Sequence, residues 1–347
     1  MKAACFAGVQ QISTQNLTNP VLHSDLDAIV RVEMAGLCGS DLHPYFGREK
    51  GIATGTVMGH EFVGEVVEVG SQVSARQLGE RVCAPFSTNC GNCQFCRTGL
   101  TSRCVNGELF GWRQNGVGLH GGQANFVRVP NADATLVPIP TGMNHETAIL
   151  LGDNLSTGYF ATDLTQITPE ETLVVIGCGT VGLLAIQWAI TLGCNQVVAV
   201  EPNHERRELA KQLGAITARD EISARLLIDE QTDGLGADGV MEFVGLPDAQ
   251  KTAYNLIRPG GRMAVIGCHC TPNFAFSPSQ AYDKNLTYRT GRCPARSYMS
   301  HLPQIVEDKK MDLSWCITHR FTIDQAEKAY RTFSTRAEGC IKAVFEF

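Results

Sequence analysis

Residues 172–182 read TLVVIGCGTVG, an apolar run that ends in three closely spaced glycines. Leu173–Ile176 has the length and the β-branched composition of a buried strand. Gly177, Gly179 and Gly182 match the pattern G-x-G-x-x-G, which gains weight here because it follows a strand and opens a helical pattern. The stretch therefore predicts a strand, turn and helix unit of a parallel sheet, with a turn suited to a dinucleotide.

Each glycine of this motif meets a separate physical demand. Gly177 permits the tight turn, Gly179 lets a pyrophosphate approach the backbone, and Gly182 lets the helix pack against the strand. The phosphates would lie at the helix N-terminus beside Thr180 and Val181, where free N–H groups and the helix dipole favour anions. The alternative is a glycine turn that serves packing alone, as in any α/β protein.

Strand and helix patterns alternate from about residue 155 onward. The apolar strand runs are Leu173–Ile176, Val197–Val200, Gly239–Val244 and Arg262–Ile266. The helical runs extend from about Val181 to Leu192 and from about Glu205 to Leu213, with Gly193 and Gly214 at their ends. Arg258–Gly261 is predicted to stop a further helix ahead of the last of these strands. This alternation predicts a doubly wound parallel sheet.

Residues 1 to about 150 follow a different pattern, in which turn signals separate short apolar runs. Ala28–Val32 and Phe62–Gly70 are two such runs. Repeated short strands of this kind predict an all-β region. Because 347 residues is also long for a single hydrophobic core, the sequence predicts two domains.

The composition favours a globular protein that handles a small molecule. Hydrophobic residues make up 44% of the chain and charged residues 18%, which is typical of folded proteins. The formal charge of −6 leaves no basic excess to neutralise phosphates, which argues against nucleic acid as a partner. Residues 172–200 carry no charge, but glycines and polar residues interrupt them, so no membrane span is predicted.

Glu201 ends the second predicted strand of the alternating region, at about the expected distance from the glycines. Its carboxylate can accept hydrogen bonds from adenosine ribose hydroxyls but would repel a 2′-phosphate, which favours NAD(H) over NADP(H). Arg206 and Arg207 are a counter-signal, because guanidinium groups just after that strand could bind a 2′-phosphate. We expect both arginines to be helix-surface or ribose-edge residues.

The fourteen cysteines are too few for a disulfide scaffold, and residues 1–13 lack the features of a signal peptide, so we expect a cytoplasmic protein with reduced thiols. Cys90, Cys93, Cys96 and Cys104 form C-x2-C-x2-C-x7-C in a lobe of about residues 88–106. Four thiolates give a closed tetrahedral site, which is typical of structural zinc. An iron–sulfur cluster is the alternative, but the bacterial cluster motif has a final gap of three residues followed by proline.

Three separate stretches carry side chains of mixed metal-ligand type. They are Cys38-Gly39-Ser40-Asp41-Leu42-His43, Gly59-His60-Glu61 and Gly152-Asp153-Asn154. A single Cys or His is more often a core or surface residue, so each stretch alone predicts little. Together they offer sulfur, nitrogen and oxygen ligands and leave a fourth position open, as a catalytic zinc site requires.

The combination of motifs resembles the zinc-dependent medium-chain alcohol dehydrogenases over essentially the whole chain. The matching residues are Cys38–Asp41, Gly59–Glu61, the four lobe cysteines, Asp153 ahead of Thr157–Tyr159, Gly177–Gly182 and Gly339–Lys342. The resemblance implies an α/β protein with a GroES-like β catalytic domain, residues 1–154 and 293–347, and a Rossmann domain at residues 155–292. It also implies one catalytic and one structural zinc ion per chain.

The same resemblance implies roles at the catalytic zinc. Cys38, His60 and Asp153 would be its ligands, with Glu61 placed to approach or exchange onto the metal. Asp41 would accept a hydrogen bond from His60 and so orient the imidazole. The implied reaction is hydride transfer between an alcohol and NAD, in which zinc lowers the pKa of the alcohol hydroxyl.

Further roles follow from the resemblance. Ser40 would contact the reacting alcohol oxygen and pass its proton outward to His43. Lys342 falls where the family places a basic residue on the cofactor pyrophosphate. Val244 falls where backbone lines the nicotinamide.

Asp153 is a departure from much of the family, which has Cys or Glu as third ligand. It resembles the branch that contains secondary-alcohol and glutathione-independent formaldehyde dehydrogenases, and Phe110–Trp112 and Gly291–Pro294 lean the same way. That branch spans several substrates, so the resemblance does not fix one alcohol or aldehyde. Candidates for the pocket walls, or for plain core residues, are Phe86, Trp112 and Tyr45.

Two other classes of protein remain open. A zinc-free reductase of the same superfamily would keep the glycine motif but lack both metal sets. A non-catalytic binding protein would keep the cysteine lobe but could lose Ser40 or a zinc ligand. Neither loss is visible. Because the family pairs its Rossmann sheets edge to edge, Asn285–Thr290 is expected to be an edge strand in a homodimer or homotetramer.

Overall fold

The structure of the protein, a computed structural model, describes residues 1–270 and 272–347. The chain divides into two compact units. Met1–Ser156 and Pro294–Phe347 form the first unit, and Thr157–Cys293 forms the second. The first unit therefore contains both ends of the chain, and the second is inserted between them in the sequence.

A parallel sheet of six strands within the described residues forms the second unit. From edge to edge, its strands are Ile216–Ala218, Gln196–Val200, Thr172–Ile176, Ala237–Glu242, Ile257–Val265 and Thr287–Thr290. Neighbouring strands are parallel throughout. The chain starts at Thr172–Ile176 in the middle, moves to one edge, and then returns to build the other half. This is the doubly wound arrangement predicted from the sequence.

Helices connect these strands, and short-range signals mark their ends. Their bounds are Thr180–Thr191, His204–Gln212, Glu221–Thr232, Pro247–Leu256 and Pro278–Asp283. The side chains of Asn203 and Asp220 accept backbone N–H groups as N-caps. Gly193 and Gly214 follow two of the helices with φ angles of 101° and 102°, a left-handed conformation that costs glycine little.

The stretch Arg258–Gly261 follows the end of a helix as predicted, but it belongs to the strand that is predicted to begin only at Arg262. The helix does end before it, at Leu256, but the strand already begins at Ile257. The pairing register with the neighbouring strand shifts within this stretch, so its extra residues form a bulge. A bulge tolerates Pro259 because the missing N–H is not needed for strand pairing there.

A mixed sheet dominates the first unit. Its strands, from edge to edge, are Ile317–Thr322, Lys342–Glu346, Ala28–Leu37, Phe62–Val69, Arg81–Cys83 and Val137–Pro138, with Phe126–Val129 also paired to Ala28–Leu37. Two hairpins pair Lys2–Gly8 with Gln11–Asn16 and Trp112–Gln114 with Val117–Leu119. The chain therefore combines a β-rich unit with a doubly wound parallel unit, which confirms the predicted fold class.

Short helices surround this sheet. The α-helices are Leu42–Tyr45, Gln94–Arg97, Ala132–Thr135, His145–Leu151, Ala295–Tyr298, Leu302–Asp308 and Ala326–Thr335, and Asn154–Thr165 begins in this unit. The 3-10 helices are Gly39–Asp41, Thr101–Arg103, Ile323–Gln325 and Ala337–Gly339. Tyr45, a candidate for the pocket wall, is a core residue, 8% exposed and with its ring centroid 5.5 Å from that of Tyr330. Across residues 1–270 and 272–347, no helix is long and apolar enough to span a membrane.

The glycines of the motif differ in what surrounds them. Gly177 has a φ of 89°, which suits glycine in a tight turn. A Cβ on Gly182 would lie 1.9 Å from the carbonyl oxygen of Gly177, so the helix approaches the turn only because no side chain is there. A Cβ on Gly179 would meet no described atom within 4 Å. Packing of the protein itself therefore requires Gly182 but not Gly179.

We predict that Gly182→Ala destabilises the protein by about 1–3 kcal/mol, because the added methyl group collides with backbone. Gly179→Ala is the matched control, since it makes the same change in open space at a φ of −71° that alanine readily adopts. Its free energy of unfolding should change by no more than about 0.5 kcal/mol. Denaturant unfolding followed by circular dichroism measures both variants, and equal stabilities would contradict the packing argument.

Candidate metal and dinucleotide sites

Cys38, His60 and Asp153 meet in the first unit although they are far apart in sequence. The Cys38 Sγ is 3.2 Å from the Asp153 Oδ2, and the His60 Nε2 is 3.3 Å from the same oxygen. Glu61 belongs to the same group, in which all ligand atoms lie within 4.8 Å of one another. The structure therefore brings together the residues predicted around the catalytic metal.

Strand pairing explains this convergence. Cys38 directly follows the strand Ala28–Leu37, and His60 lies two residues before the strand Phe62–Val69. The two strands pair antiparallel, so the end of the first meets the start of the second. Asp153 reaches the same place just beyond the end of a helix.

The donor set fits a zinc ion. In a tetrahedral site with ligand bonds of about 2.0 to 2.3 Å, neighbouring donor atoms are about 3.3 to 3.8 Å apart. The Cys38–Asp153 and His60–Asp153 separations of 3.2 and 3.3 Å are close to the lower end of that range. One thiolate, one imidazole and one carboxylate also leave a fourth position, which is typical of catalytic zinc.

Burial and neighbouring polar groups together set the pKa values of these side chains. It raises the pKa of the Cys38 thiol, and the nearby Asp153 carboxylate adds to the rise. Burial alone would also raise the pKa of Asp153, but the hydrogen bond from His60 lowers it to about 2. The carboxylate is therefore charged at neutral pH, whereas the thiol requires a cation to lose its proton readily.

Asp41 lies behind His60, away from the other ligand atoms. Its Oδ1 is 3.3 Å from the His60 Nδ1, which leaves Nε2 facing the ligand group. The Ser40 Oγ is 3.2 Å from both the Cys38 Sγ and the His60 Nε2. His43 is partly buried, and burial lowers its pKa, which favours a neutral imidazole. A proton path from Ser40 to His43 stays a prediction.

Lys342 is predicted to contact the cofactor pyrophosphate, and its ammonium group here pairs with Glu61. Both residues are 1% exposed. Burial alone would lower the pKa of Lys342, but Glu61 raises it above its ordinary value, so the amine stays protonated. The Asn154 Nδ2 donates to the other Glu61 oxygen at 2.8 Å. Lys342 and Asn154 therefore both hold Glu61, and a pyrophosphate contact stays a prediction.

The four cysteines of the lobe form a second donor set. Their sulfur atoms lie within 4.8 Å of one another. The backbone N–H of Cys90 donates to the Cys104 Sγ at 3.2 Å, and that of Cys96 donates to the Cys93 Sγ at 3.5 Å. Backbone N–H groups lower the pKa of Cys93 to about 6, which favours the thiolate. Four sulfurs complete a tetrahedral shell, so this set fits structural zinc.

Glu201 in the second unit faces the glycine turn. It is 4% exposed, and its carboxylate accepts the backbone N–H groups of Cys178 at 2.8 Å and Asn203 at 3.0 Å. The Arg206 Nη1 lies 3.5 Å from the same carboxylate. The Arg207 Nη1 instead donates to two backbone carbonyls, at 2.9 and 2.6 Å. Arg207 is therefore engaged with the backbone carbonyls of Glu201 and Pro202 rather than presented to a 2′-phosphate.

Thr180, Val181 and Val244, which are also predicted to bind the dinucleotide, follow the carboxyl ends of strands of the parallel sheet. Thr180 and Val181 form the first turn of the helix that follows the glycines. Val244 is predicted to end a strand, Gly239–Val244, but the observed strand is Ala237–Glu242, so Val244 lies in the turn that follows it. A Cβ on Gly177 would be 2.6 Å from the Val244 Cγ2, so the two turns touch. Ligands of doubly wound sheets bind at this carboxyl edge.

Two buried residues near these sites, Glu242 and Gln123, are not among the site residues predicted from the sequence. Glu242 is fully buried and accepts the backbone N–H groups of Val244 at 2.6 Å and Gly245 at 2.8 Å. Its place at a strand end, like that of Glu201, is a signal that could have identified it. Gln123 packs behind Asp41, and no local pattern marks it.

Comparisons with known proteins identify both parts of the chain. The family model of the alcohol dehydrogenase GroES-like domain matches residues 24–141. The model of the zinc-binding dehydrogenase family matches residues 180–307.

Individual relatives agree with these matches. Zinc-type alcohol dehydrogenase B of Aspergillus flavus is 37% identical, with 96% of this chain and 79% of the relative covered. The solved structure of alcohol dehydrogenase TADH from Thermus sp. ATN1 has a TM-score of 0.93 at 33% identity, with 100% and 99% covered. That of zinc-dependent alcohol dehydrogenase 2 from Streptococcus pneumonia has a TM-score of 0.90 at 30% identity, with 100% and 98% covered. The chain thus belongs to the zinc-type alcohol dehydrogenase family, and it is a zinc-dependent oxidoreductase.

Proposed function

We propose that this oxidoreductase is an NAD-dependent alcohol dehydrogenase that transfers a hydride between a small alcohol, or its aldehyde or ketone, and NAD. The observation that carries the proposal is the open donor set of Cys38, His60 and Asp153, with separations that suit zinc. We assign the catalytic domain to residues 1–154 and 293–347, and the dinucleotide-binding domain to residues 155–292.

Cys38, His60 and Asp153 would hold a catalytic zinc, and the four lobe cysteines a structural one. When bound, the catalytic zinc supplies Lewis acidity that lowers the pKa of a hydroxyl group. Asp41 accepts from the His60 Nδ1 and so keeps Nε2 as the ligand nitrogen. Thiolate ligands need a reducing compartment, which supports a cytoplasmic location.

Ser40 and His43 would move the proton of the alcohol. The Ser40 hydroxyl lies beside the ligand group, where it can hydrogen-bond an alcohol oxygen and take part in passing its proton on. A neutral His43 can accept that proton, and the burial that lowers its pKa favours this form. Glu61 would approach the metal only after leaving Lys342 and Asn154, which now hold its two oxygens.

The glycine turn would bind the pyrophosphate of the dinucleotide. Gly179 has open space around it, so an approaching ligand explains this glycine better than packing does. Backbone N–H groups at Thr180 and Val181 begin a helix, where anions are favoured. The backbone at Val244 would line the nicotinamide, and Glu201 would accept from the adenosine ribose. Lys342 would reach the pyrophosphate only by loosening its pair with Glu61.

The choice of substrate rests on Asp153. Asp as third ligand resembles the branch of secondary-alcohol and glutathione-independent formaldehyde dehydrogenases. We therefore propose small secondary alcohols or formaldehyde-type substrates as the first compounds to examine.

The proposed function is tested with a panel of primary and secondary alcohols and NAD, followed by NADH absorbance. We expect turnover of at least one class of alcohol by zinc-loaded protein, loss of turnover after chelation, and recovery on adding zinc. Absence of turnover across the panel in both directions would favour a non-catalytic binding protein. Turnover that survives zinc removal would favour chemistry of the zinc-free reductase type.

Two cysteine substitutions separate the two metal sites. Cys38→Ser should lower kcat by at least about 100-fold while the melting temperature stays close to wild type, because an open site adds little to folding. Cys93→Ser should instead destabilise the fold, because structural zinc contributes folding free energy on the order of 10 kcal/mol in small peptides. Elemental analysis should find about two zinc ions in wild type and about one in each variant. A Cys93→Ser protein that melts normally but loses turnover would contradict the structural role.

Cofactor choice is tested at Glu201. Wild type should prefer NAD over NADP in kcat/KM by at least about tenfold, or about 1.4 kcal/mol. Glu201→Gln keeps the size of the side chain but removes the charge that repels a 2′-phosphate, so the preference should narrow several-fold. Glu205→Gln is the matched control, because Glu205 is exposed on the next helix and the change in charge is the same. An equal effect of both substitutions would show that Glu201 acts only through net charge.

We propose that the protein is a homodimer or a homotetramer. The strand Thr287–Thr290 lies at the edge of the parallel sheet, paired on one side with Ile257–Val265 and with no further described strand on the other. Phe274 and Tyr282, which lie between these strands in sequence, are 62% and 83% exposed. An open edge with exposed aromatic residues favours association with a second copy. Light scattering that reports a 37.6 kDa monomer at working concentration would contradict this proposal.

A further inference from the structure

Gln123 is a completely buried side chain whose amide is fully used. Its Nε2 donates to the backbone oxygen of Gly36 at 3.0 Å and lies 3.4 Å from the Asp41 Oδ2. Its Oε1 accepts the hydroxyl of Tyr330 at 2.9 Å. The orientation of the amide follows from these partners, because only the nitrogen can face a carbonyl and a carboxylate.

Asp41 continues this set of contacts to the candidate metal site. Its Oδ2 accepts the backbone N–H of Cys38 at 2.9 Å as well as facing Gln123. Its Oδ1 faces the His60 Nδ1 at 3.3 Å. Polar contacts therefore run without a gap from Tyr330 through Gln123 and Asp41 to His60.

Gln123 packs closely against the turn that precedes His60. A Cβ on Gly59 would lie 2.4 Å from the Gln123 Cγ, so the side chain rests directly on the turn before His60. The backbone N–H of Gln123 donates to the Met58 oxygen at 2.9 Å, and its carbonyl accepts the N–H of Ala4 at 2.9 Å. These contacts hold the Gln123 amide in one position, from which it can restrict the Asp41 carboxylate.

Tyr330 is suited to hold the other end of the amide. It is 0% exposed and lies in the helix Ala326–Thr335. Burial raises the pKa of its hydroxyl well above the ordinary value, and the charge of Asp41 acts in the same direction. The hydroxyl therefore stays protonated and available as the donor to Gln123.

We propose that Gln123 and Tyr330 are positioning residues that fix the Asp41 carboxylate, and through it the ring of His60, so that they set the affinity of the Cys38–His60–Asp153 site for zinc. This inference rests on the proposed function, which makes that site the catalytic zinc site. Without Gln123, one oxygen of Asp41 would lose a side-chain partner, and the carboxylate could rotate away from His60. The His60 ring would then be less restricted, and binding zinc would have to order it.

The test uses full-length protein with its lobe cysteines intact and loaded with zinc. Tyr330→Phe removes only a hydroxyl, and Gln123→Met keeps the length of the side chain but removes the amide. We expect zinc at the open site to bind about fivefold more weakly in Tyr330→Phe and at least about tenfold more weakly in Gln123→Met, measured by chelator competition. Cobalt placed in the open site should also show an altered visible absorption spectrum in both variants.

Tyr288→Phe is the matched control. The Tyr288 hydroxyl accepts from the Gln250 Nε2 at 3.2 Å, so it belongs to a tyrosine–glutamine pair within the second unit. We expect its zinc affinity and cobalt spectrum to match wild type. If Tyr330→Phe and Gln123→Met lower only the melting temperature of the protein, with zinc affinity unchanged, then both residues serve general packing and the proposal is wrong.

A double-mutant cycle with Asp41→Ala tests the route of the effect. If Tyr330 acts through Asp41, then Tyr330→Phe should weaken zinc binding in wild type but add nothing in the Asp41→Ala background. Equal effects in both backgrounds would overturn the route. If Cys38→Ser, made in otherwise unchanged protein, leaves the zinc content at the wild-type level, the proposed function is overturned, and the inference with it.

Discussion

Three carboxylates and a thiol are buried close together in the first unit, and the need to neutralise them constrains the residues around them. Asp41, Glu61 and Asp153 are 4%, 1% and 8% exposed. A buried charge without a partner costs several kcal/mol, so each carboxylate needs its own donor or cation. Lys342 serves Glu61, His60 serves Asp153, and backbone and amide N–H groups serve Asp41.

This constraint explains why both ends of the chain belong to one unit. Lys342 begins the strand Lys342–Glu346, which pairs antiparallel with Ala28–Leu37. The same N-terminal strand leads directly into Cys38. The Lys342 ammonium group therefore reaches a group of buried side chains that otherwise come from residues before 155. The second unit has its own sheet and is an insertion that leaves this pairing intact.

Two sets of metal-ligand residues in the first unit differ in whether they leave a coordination position open. The lobe draws four sulfurs from fifteen consecutive residues, and backbone N–H groups of the same segment donate to two of these sulfurs. The open set draws three donors of different chemistry from distant segments and surrounds them with hydrogen-bonding side chains. Local ligands that fill every coordination position suit a structural role, whereas distant ligands fixed by packing suit a position reserved for substrate.

Local sequence patterns specify part of this structure. The strand and glycine turn of residues 172–182, the alternation of strands and helices after it, and the spacing of Cys90 to Cys104 each specify structure within a few tens of residues. The separate stretches that hold Cys38, His60 and Asp153 could also be recognised, because three unusual motifs occur in one chain. The resemblance to a family assigns all three residues to one zinc site.

The pairing of side chains from distant segments depends instead on the tertiary fold. The contact of Lys342 with Glu61 joins residues 281 positions apart, and that of Tyr330 with Gln123 joins residues 207 apart. The bulge at Arg258–Gly261 likewise depends on the neighbouring strand, and the open space around Gly179 depends on which segments pack near it. Buried hydrogen bonds and ion pairs are set by which surfaces the fold brings together, and no periodicity within a segment records that information.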